Sequence, residues 1–365
     1  MKERKNKSIP GRGIGGAICL LAGGLLLMAA RHISGFGEWY ASTVYPLFVA
    51  SLGRCFGHFP GSAAEIALYL AMAALAGSFL YVLCRILAGK ASARRLLSWA
   101  LSWFLAACVL ALLYVLFCGI NYHRKSFAEH AGLVQQPYSL GELKDLCLEL
   151  TEEVNRLSAG IRRDERGCME LSGDVEEKAV EAMEGLGQEY KALDGFYPKP
   201  KALAVPALLS VQNLTGIYSP FTVEANYNGA ITEYNIPFTA CHELAHLRGF
   251  MEEEEANFIA YLACLGSDDE EFRYSGSLLA WIYSMNALYK ADLEAWRTVR
   301  QQLDGNVEAD LTANQEFWDQ YEGPVAEVSN KVNDTYLKAN GQEEGVKSYD
   351  RMVDLLIAYK NREEI

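Results

Sequence analysis

The chain contains an H-E-x-x-H motif, His242-Glu243-Leu244-Ala245-His246, near the middle of its C-terminal two thirds. Side chains four residues apart lie on one face of a helix, so the imidazoles of His242 and His246 could bind a single zinc ion. The carboxylate of Glu243 lies beside them and could take a proton from a zinc-activated water molecule. The motif therefore predicts a zinc hydrolase with two histidine ligands and Glu243 as the general base.

The third zinc ligand is expected to be a carboxylate. A catalytic zinc site has three protein ligands and one open position. No histidine follows the motif, whereas four consecutive glutamates, 252–255, follow it closely. Cys241 is a poor candidate because its side chain points about 100° away from that of His242 on a helix. The sequence therefore places the third ligand among these glutamates.

The segment Glu253-Glu254-Glu255-Ala256-Asn257 resembles the second motif of the gluzincins, a group of the zincin metallopeptidases. The resemblance implies that Glu253 is the third zinc ligand and that Asn257 supports the zinc-binding histidines from behind. A different spacing, with Gly249 at the turn after the motif, resembles the metzincins and would make Glu252 the ligand. Glu253 is favoured, and Glu252 and Glu255 remain as alternatives.

A closer resemblance is to an uncharacterised bacterial family of multi-span membrane proteins that have an outward-facing H-E-x-x-H domain. It implies a zincin fold and peptidase chemistry, and it implies no particular substrate. The segments that carry this resemblance are residues 216–222, 238–246 and 253–264, and Ser348-Tyr349.

Two further parts of a peptidase site must come from elsewhere in the chain. A tetrahedral oxyanion needs a hydrogen-bond donor, and the candidates are Tyr274, Arg273 and Tyr349. In zincins, an extended strand before the active helix pairs with the substrate backbone. Residues 217–228 occupy this place in the sequence. The polar residues of that segment that could line the cleft are Glu224, Asn226 and Asn228.

The elements that must position these residues are mostly helical. Apolar residues recur every three or four positions in residues 141–158 and 175–193, which predicts helices. Residues 203–211 and 217–228 are rich in β-forming residues, and Asn235-Ile236-Pro237 is expected to form a turn. A helix should carry the motif from Phe238 and end at Gly249. Further helices are predicted at residues 253–265 and over most of residues 277–303, 312–339 and 346–360.

The N-terminal third of the chain has a different composition and is expected to cross a membrane. Residues 1–120 contain 11 Lys/Arg and 3 Asp/Glu, a net charge of +8, whereas residues 121–365 contain 22 and 43, a net charge of −21. Three apolar segments, about 14–30, 63–87 and 97–120, have about the 20 residues that a bilayer requires. Residues 35–61, between the first two segments, include an amphipathic stretch that could lie on the membrane surface.

Basic residues predict the orientation of these segments. Nine basic residues either precede the first segment or lie between the second and the third. Only two, Arg31 and Arg54, lie in the loop on the other side. By the positive-inside rule, the N-terminus is cytoplasmic and residues 121–365 lie outside the cytoplasm. A cleaved signal peptide is the alternative for the first segment, although no small-x-small cleavage site precedes Arg31.

Together these patterns predict an α+β, mainly α protein. Residues 1–120 would form a membrane domain of three transmembrane helices, and residues 121–365 a zincin-like, mostly helical domain with a small β-sheet. The predicted function is that of a multi-pass cell-membrane zinc metallopeptidase with one zinc per chain, acting on a peptide or envelope protein outside the cytoplasm. A nucleic-acid partner is not expected, because the net charge of −21 repels phosphates. The alternative is a non-catalytic zinc-binding membrane sensor or scaffold.

Overall fold

A computed structural model describes residues 8–340, 342 and 351–363 of the chain. Three of its helices are long and apolar enough to cross a membrane: α1 (Ser8–His32), α2 (Ala63–Leu87) and α3 (Ala93–Tyr114), which continues as a π-helical turn over Val115–Gly119. Helices α1 and α3 pack along each other. The three predicted spanning segments are therefore confirmed as membrane-spanning candidates, with α2 at the predicted bounds.

Residues 36–57 form a succession of short α-helical and π-helical turns between α1 and α2. One side of this segment buries Tyr40, Tyr45 and Val49 in the same hydrophobic core as the C-terminal half. The hydroxyl groups of Tyr45 and Tyr218 are 2.8 Å apart, and Tyr45 also donates to the carbonyl of Leu247 at 3.0 Å. The change in composition at residue 120 therefore does not coincide with a division of the core.

The C-terminal half is mainly helical, as predicted. The first two α-helices of this half begin with capping boxes, formed by Ser126 with Glu129 and by Ser139 with Glu142. These pairs satisfy free backbone N–H groups at the helix starts. Its α-helices are α4 (Phe127–Ala131), α5 (Leu140–Ser158), α6 (Val175–Glu189), α7 (Ala207–Ser210), α8 (Asn235–Leu247), α9 (Glu253–Leu265), α10 (Glu270–Ala291), α11 (Leu293–Arg300), α12 (Gly305–Asp319), α13 (Pro324–Ala339) and α14 (Met352–Glu363). Short 3-10 turns occupy Asn121–His123 and Lys191–Leu193.

The small predicted sheet is present and has three strands: β1 (Lys201–Ala202), β2 (Gly216–Ser219) and β3 (Glu224–Tyr227). Their spatial order is β1-β3-β2, with β3 parallel to β1 and antiparallel to β2. Strand β2 is therefore at an edge of the sheet. Both β2 and β3 pack against α8, so the sheet lies directly on the helix that carries the motif.

Two local predictions were wrong. Residues 203–211 contain the short helix α7 rather than a strand, since Pro206 lacks the N–H group that a strand would use and suits a helix start. Asn235-Ile236-Pro237 forms the first turn of α8, where Pro237 costs no hydrogen bond. The β-structure predicted at residues 217–228 is present as two strands joined by a turn. Helices occupy most of residues 277–303 and 312–339, as predicted, with interruptions at Asp292 and before Pro324.

Candidate metal centre

Helix α8 presents the two motif histidines on one face, as the spacing predicts. The ring centroids of His242 and His246 are 4.5 Å apart, and the rings are nearly perpendicular, at 87°. The helix ends at Leu247, and Gly249 then adopts a φ of +91°, which is accessible to glycine and strained for other residues. This turn reverses the chain, so that α9 packs against α8.

Glu253, the first residue of α9, completes a cluster with the two imidazoles. Its Oε2 atom lies 3.3 Å from Nε2 of His242 and 3.7 Å from Nε2 of His246. One ligand atom from each of the three residues lies within 4.8 Å of the other two. Two imidazole nitrogens and one carboxylate oxygen are the donor set of many catalytic zinc sites, so the chemistry of the cluster fits a zinc ion.

A buried backbone carbonyl fixes the orientation of His246. Nδ1 of His246 donates a hydrogen bond to the carbonyl of Phe250 at 2.8 Å, which directs Nε2 toward Glu253. Burial lowers the pKa of His242, and the side chain of Asn257, one turn after Glu253 on the same face of α9, opposes this lowering in part. Among the described residues, however, Nδ1 of His242 and Nδ2 of Asn257 have no hydrogen-bond partner.

Glu243 is buried beside the cluster, between α8 and β2. Its Oε2 atom has no hydrogen-bond partner in the described part of the chain, although the residue is only 4% exposed. Gly216 of β2 makes room for it, since a Cβ atom at that position would lie 2.5 Å from Oε1 of Glu243. A free carboxylate oxygen in this place could accept a proton from a water molecule in the cluster.

The electrostatics of the cluster follow from burial and proximity. Burial raises the pKa of Glu243 to about 8, and Glu253 adds to the rise. Burial lowers the pKa of His246, but the carboxylates of Glu253 and Glu243 outweigh it and raise that pKa to about 9. Burial acts to raise the pKa of Glu253, but the two histidines reverse this and hold it well below its usual value. In His242, burial and the neighbouring imidazole together lower the pKa.

The other glutamates of the acidic run point elsewhere. Glu252 is the residue before α9 and is not part of the ligand cluster. Glu254 accepts a hydrogen bond from Gln342 at 3.0 Å. Glu255 accepts one from the backbone N–H of Phe127 at 2.6 Å and so holds the start of α4 against α9. The geometry therefore favours Glu253 over Glu252 and Glu255 as a ligand.

The predicted oxyanion donors are not brought to the cluster. Tyr274 is fully buried and donates to Oδ2 of Asp310 at 2.5 Å. Burial, and then the negative charge of Asp310, raise its pKa strongly. Arg273 pairs with Glu270 at 3.4 Å. Neither side chain lines the cavity described below. Tyr349 lies outside the described residues.

The strand that lines the cavity beside the cluster is β2 and not β3. Gly216, Ile217 and Tyr218 line the cavity, whereas the predicted polar residues of β3 are buried away from it. Glu224 pairs with Lys201 at 2.7 Å, and Asn226 donates to the carbonyl groups of Ile217 and Glu224. Asn228 donates to the hydroxyl of Ser210 at 2.9 Å. The prediction for these three residues was therefore wrong, because the second strand of the hairpin lies inside the sheet.

A cavity of about 630 Å³ opens beside the cluster, and His242, Glu243, His246 and Glu253 all line it. Part of its wall comes from residues that no motif indicated, because they are distant in sequence. The end of α3 and the turn after it contribute Tyr114, Cys118 and Tyr122, α10 contributes Leu279 and Tyr283, and α13 contributes Asn330, Asn333 and Tyr336. Asn330, Asn333 and Tyr336 are three residues apart on a predicted helix, and this spacing was the only sequence signal that they share a face.

Arg248 lies two residues after the H-E-x-x-H motif, at a position where an apolar residue is expected. It is 8% exposed, and its guanidinium donates to the carbonyl of Asp194 and lies 5.5 Å from the ring centre of Tyr197. The long side chain thus links the end of α8 to the segment after α6. Its role in the structure is to hold these elements together.

The chain was compared with protein families, curated proteins and solved structures. No curated protein and no solved structure matches it. Residues 40–357 match the family described as "Protein of unknown function (DUF3810)". This match covers well over half of the 365 residues and includes the second and third candidate spanning helices, the cluster of His242, His246 and Glu253, and the first half of α14. The chain therefore belongs to the DUF3810 family.

Proposed function

We propose that this protein is a membrane-anchored zinc metallopeptidase of the zincin type. One observation supports the proposal above the others: His242, His246 and Glu253 converge within 4.8 Å, with the unpartnered carboxylate oxygen of Glu243 beside them, on the wall of a cavity. A purely structural zinc site needs neither a general base nor an opening to solvent. The proposed ligands are these three residues, with one zinc ion per chain.

Each residue has a role in the proposed reaction. Zinc at this site would lower the pKa of a water molecule and polarise the carbonyl of the peptide bond. Glu243 takes the proton from that water and delivers it to the leaving amine. His246 is held in place by Phe250, and the free edge of β2 is available to align an extended peptide. A tyrosine of the cavity wall is a suitable oxyanion donor in place of Tyr274.

We further propose that the C-terminal half acts outside the cytoplasm. The excess of basic residues before α1 and between α2 and α3 favours a cytoplasmic location for those segments. Three crossings then bring the metal centre to the opposite side. The expected substrates are peptides or envelope proteins on that side.

The proposal is tested with the full chain in detergent micelles. Metal analysis should find about one zinc per chain, with a strong decrease in His246→Ala and no change in the control His130→Ala, whose imidazole pairs with Glu38. Wild type should hydrolyse members of a degenerate peptide mixture, detected as new N-termini by mass spectrometry. Glu243→Gln should keep the zinc and lose about 10²–10⁴-fold in rate.

The outcomes separate the two functional classes. Equal zinc contents in wild type and His246→Ala would exclude the metal site. A full zinc content without hydrolysis in wild type would instead support a non-catalytic zinc-binding sensor or scaffold.

A further inference from the structure

The wall of the cavity is continuous with the third spanning helix. Tyr114, Cys118 and Tyr122 line the same cavity as the metal cluster. From Arg95, the last charged residue at the far end of α3, to Tyr114 the helix rises about 28 Å at 1.5 Å per residue. The hydrocarbon core of a bilayer is about 30 Å thick. With Arg95 at one edge of this core, Tyr114 would lie near the other edge, and the cavity would adjoin the bilayer surface.

Helix α13 forms the side of the cavity that adjoins α3. Asn340, directly after α13, accepts a hydrogen bond from the hydroxyl of Tyr114 at 2.8 Å. One turn earlier, the hydroxyl of Tyr336 is 3.4 Å from that of Tyr122 and 3.5 Å from Sγ of Cys118. The C-terminal end of α13 is thus attached to the end of the third spanning helix.

The other half of α13 leads toward the second spanning helix. Ser329 donates to the carbonyl of Gln212 at 3.0 Å, in the segment that follows α7. The residues just before α7 are bound to the start of α2, because Glu65 accepts hydrogen bonds from the N–H groups of Ala204 at 2.7 Å and Val205 at 2.9 Å. Helix α13 therefore extends from the end of α3 toward α7, which is attached to the start of α2.

Helix α13 has exposed apolar side chains before Tyr336. Val325, Val328 and Val332 are 59–63% exposed, and Val325 and Val332 precede Tyr336 by eleven and four residues, on the same side of the helix. Ile217 and Phe221, which line the cavity, are each 44% exposed. Apolar side chains grouped at this level suit the boundary between head groups and acyl chains.

The candidate spanning helices leave room for another segment beside α2, near the opening of the cavity between β2 and α13. The most apolar 18-residue window of α2 contains no buried residue, whereas α1 and α3 pack along each other. Trp103 of α3 donates to the hydroxyl of Ser78 of α2 at 3.1 Å, which joins the two helices at one point. An additional apolar segment could therefore lie against α2 within the bilayer.

We propose that the substrate is a polypeptide anchored in the same membrane, cut within a few residues of the bilayer surface. This inference rests on the proposed peptidase function. The anchor of the substrate lies in the bilayer, and its emerging chain passes between β2 and α13 to the metal cluster. Water adds across one peptide bond, so that the carbonyl carbon gains the hydroxyl and the amine nitrogen gains the proton. A soluble peptide would not use the apolar mouth.

The test uses the full chain in phosphatidylcholine–phosphatidylglycerol vesicles and three forms of one degenerate peptide library. The peptides are free, or joined to a 20-residue Leu/Ala helix through a linker of either three or thirty residues. Anchoring concentrates both linked sets equally at the membrane, so the comparison between linkers isolates the position of the site. We expect the three-residue set to be cut at least tenfold faster than the free set and at least as fast as the thirty-residue set. Efficient cutting of only the free and long-linker sets would overturn the inference while leaving the peptidase function intact.

Substitutions on α13 provide a second measurement. The double variant Val328→Asp/Val332→Asp should slow the cutting of the three-residue set at least fivefold. Its zinc content and its rate on free peptides should remain at the wild-type values, since neither valine lines the cavity. Leu293→Asp, an exposed apolar position on α11, is the matched control and should change none of these values.

Failure of the peptidase function itself is recognisable. If zinc is bound but no set is cut, the proposed activity is wrong, and photo-crosslinking to Glu243→Gln then decides the substrate class. Preferential crosslinking of the three-residue set over the free set would support a membrane-anchored ligand. Equal crosslinking of both sets, or none, would overturn it.

Discussion

Glu253 owes its place in the cluster to its position at the start of α9. Successive residues of a helix are rotated by about 100°, so Glu254 and Glu255 point about 100° and 200° away from it. They meet Gln342 and Phe127 instead of the histidines. Glu252 lies before the helix and is not in the ligand cluster.

We therefore expect Glu253→Ala to lower the zinc affinity at least about a hundredfold, since losing only a residue that supports a ligand costs about 10–100-fold. Competition with a zinc-binding dye measures this affinity. Glu252→Ala is the matched control and should bind zinc as the wild type does. A larger loss in Glu252→Ala than in Glu253→Ala would contradict the geometry.

Gly216 is the residue that allows β2 to approach the general base closely. A Cβ atom there would lie 2.5 Å from Oε1 of Glu243 and 2.8 Å from Cγ2 of Thr239. Gly216→Ala should destabilise the fold by about 1–3 kcal/mol through overpacking. It should also reduce hydrolysis while zinc binding is retained, because Glu243 is displaced and the ligands are not.

Gly229→Ala is the control for Gly216→Ala, since its new Cβ atom would make an ordinary contact, 3.4 Å, with Ala202. Thermal unfolding and peptide cleavage should be measured on both variants. If Gly216→Ala leaves both quantities at the wild-type level, β2 is not held against Glu243 as described.

The sequence was sufficient for those parts of the site that depend on helical spacing. The convergence of His242 and His246 follows from four residues of separation. Glu253 was favoured among four glutamates through the resemblance of residues 253–257 to the second gluzincin motif. The contributions of Tyr114 and Tyr336 could not be predicted, because they depend on how distant helices pack. The close approach of Gly216 to Glu243 is likewise a contact between separate elements.

At the scale of elements, Asp310 joins α12 to α10 and to the segment after α5. It is 1% exposed and accepts hydrogen bonds from Tyr274 at 2.5 Å, from Arg163 at 3.0 Å and from the N–H of Met169 at 2.7 Å. A buried carboxylate with three donors holds these elements in one arrangement. Tyr274 therefore has a structural role.

This role gives a prediction that separates Tyr274 from an oxyanion donor. Tyr274→Phe should cost about 1 kcal/mol of stability, the usual value of one hydrogen bond, and leave the rate of peptide hydrolysis unchanged. Asp310→Ala should cost about 3–5 kcal/mol, because Arg163 is left unpaired in a largely buried place. Denaturation midpoints and cleavage rates measure both effects. A hundredfold loss of rate in Tyr274→Phe, with stability retained, would restore it as a catalytic residue.

The helices of the fold were more predictable than the strands. Helices α5 and α9 carry apolar residues at regular intervals and begin within one residue of their predicted starts. Residues 203–211 are rich in Leu, Ala and Val, a composition that suits a buried strand and a buried helix alike. The structure has a short helix there, directly after Pro206. The pairing of β1 with β3 is parallel and non-local, and sequence periodicity contains no information on it.

At the scale of the whole molecule, buried charges attach the C-terminal half to the second spanning helix. Glu224 of β3 accepts hydrogen bonds from the N–H groups of Ala63 at 3.1 Å and Ala64 at 2.8 Å, at the start of α2. Lys201 pairs with Glu224 and also donates to the carbonyl groups of Phe56 and Gly61. A carboxylate at a helix N-terminus is stabilised by the free N–H groups there. The sheet that packs against α8 is thereby attached to the start of α2.

This attachment makes the orientation of the chain in the membrane testable at two exposed positions. Glu165 lies in the C-terminal half and Lys90 between α2 and α3, on opposite sides of the bilayer if α2 and α3 both span it. Single cysteines at these positions, in a background with the exposed Cys55 and Cys84 replaced by serine, report the side on which each lies. A membrane-impermeant maleimide should label Glu165→Cys in intact cells and label Lys90→Cys only after lysis, since the basic residues around Lys90 favour the cytoplasm. The reverse pattern would place the metal centre in the cytoplasm and would contradict the proposed site of action, without affecting zinc binding.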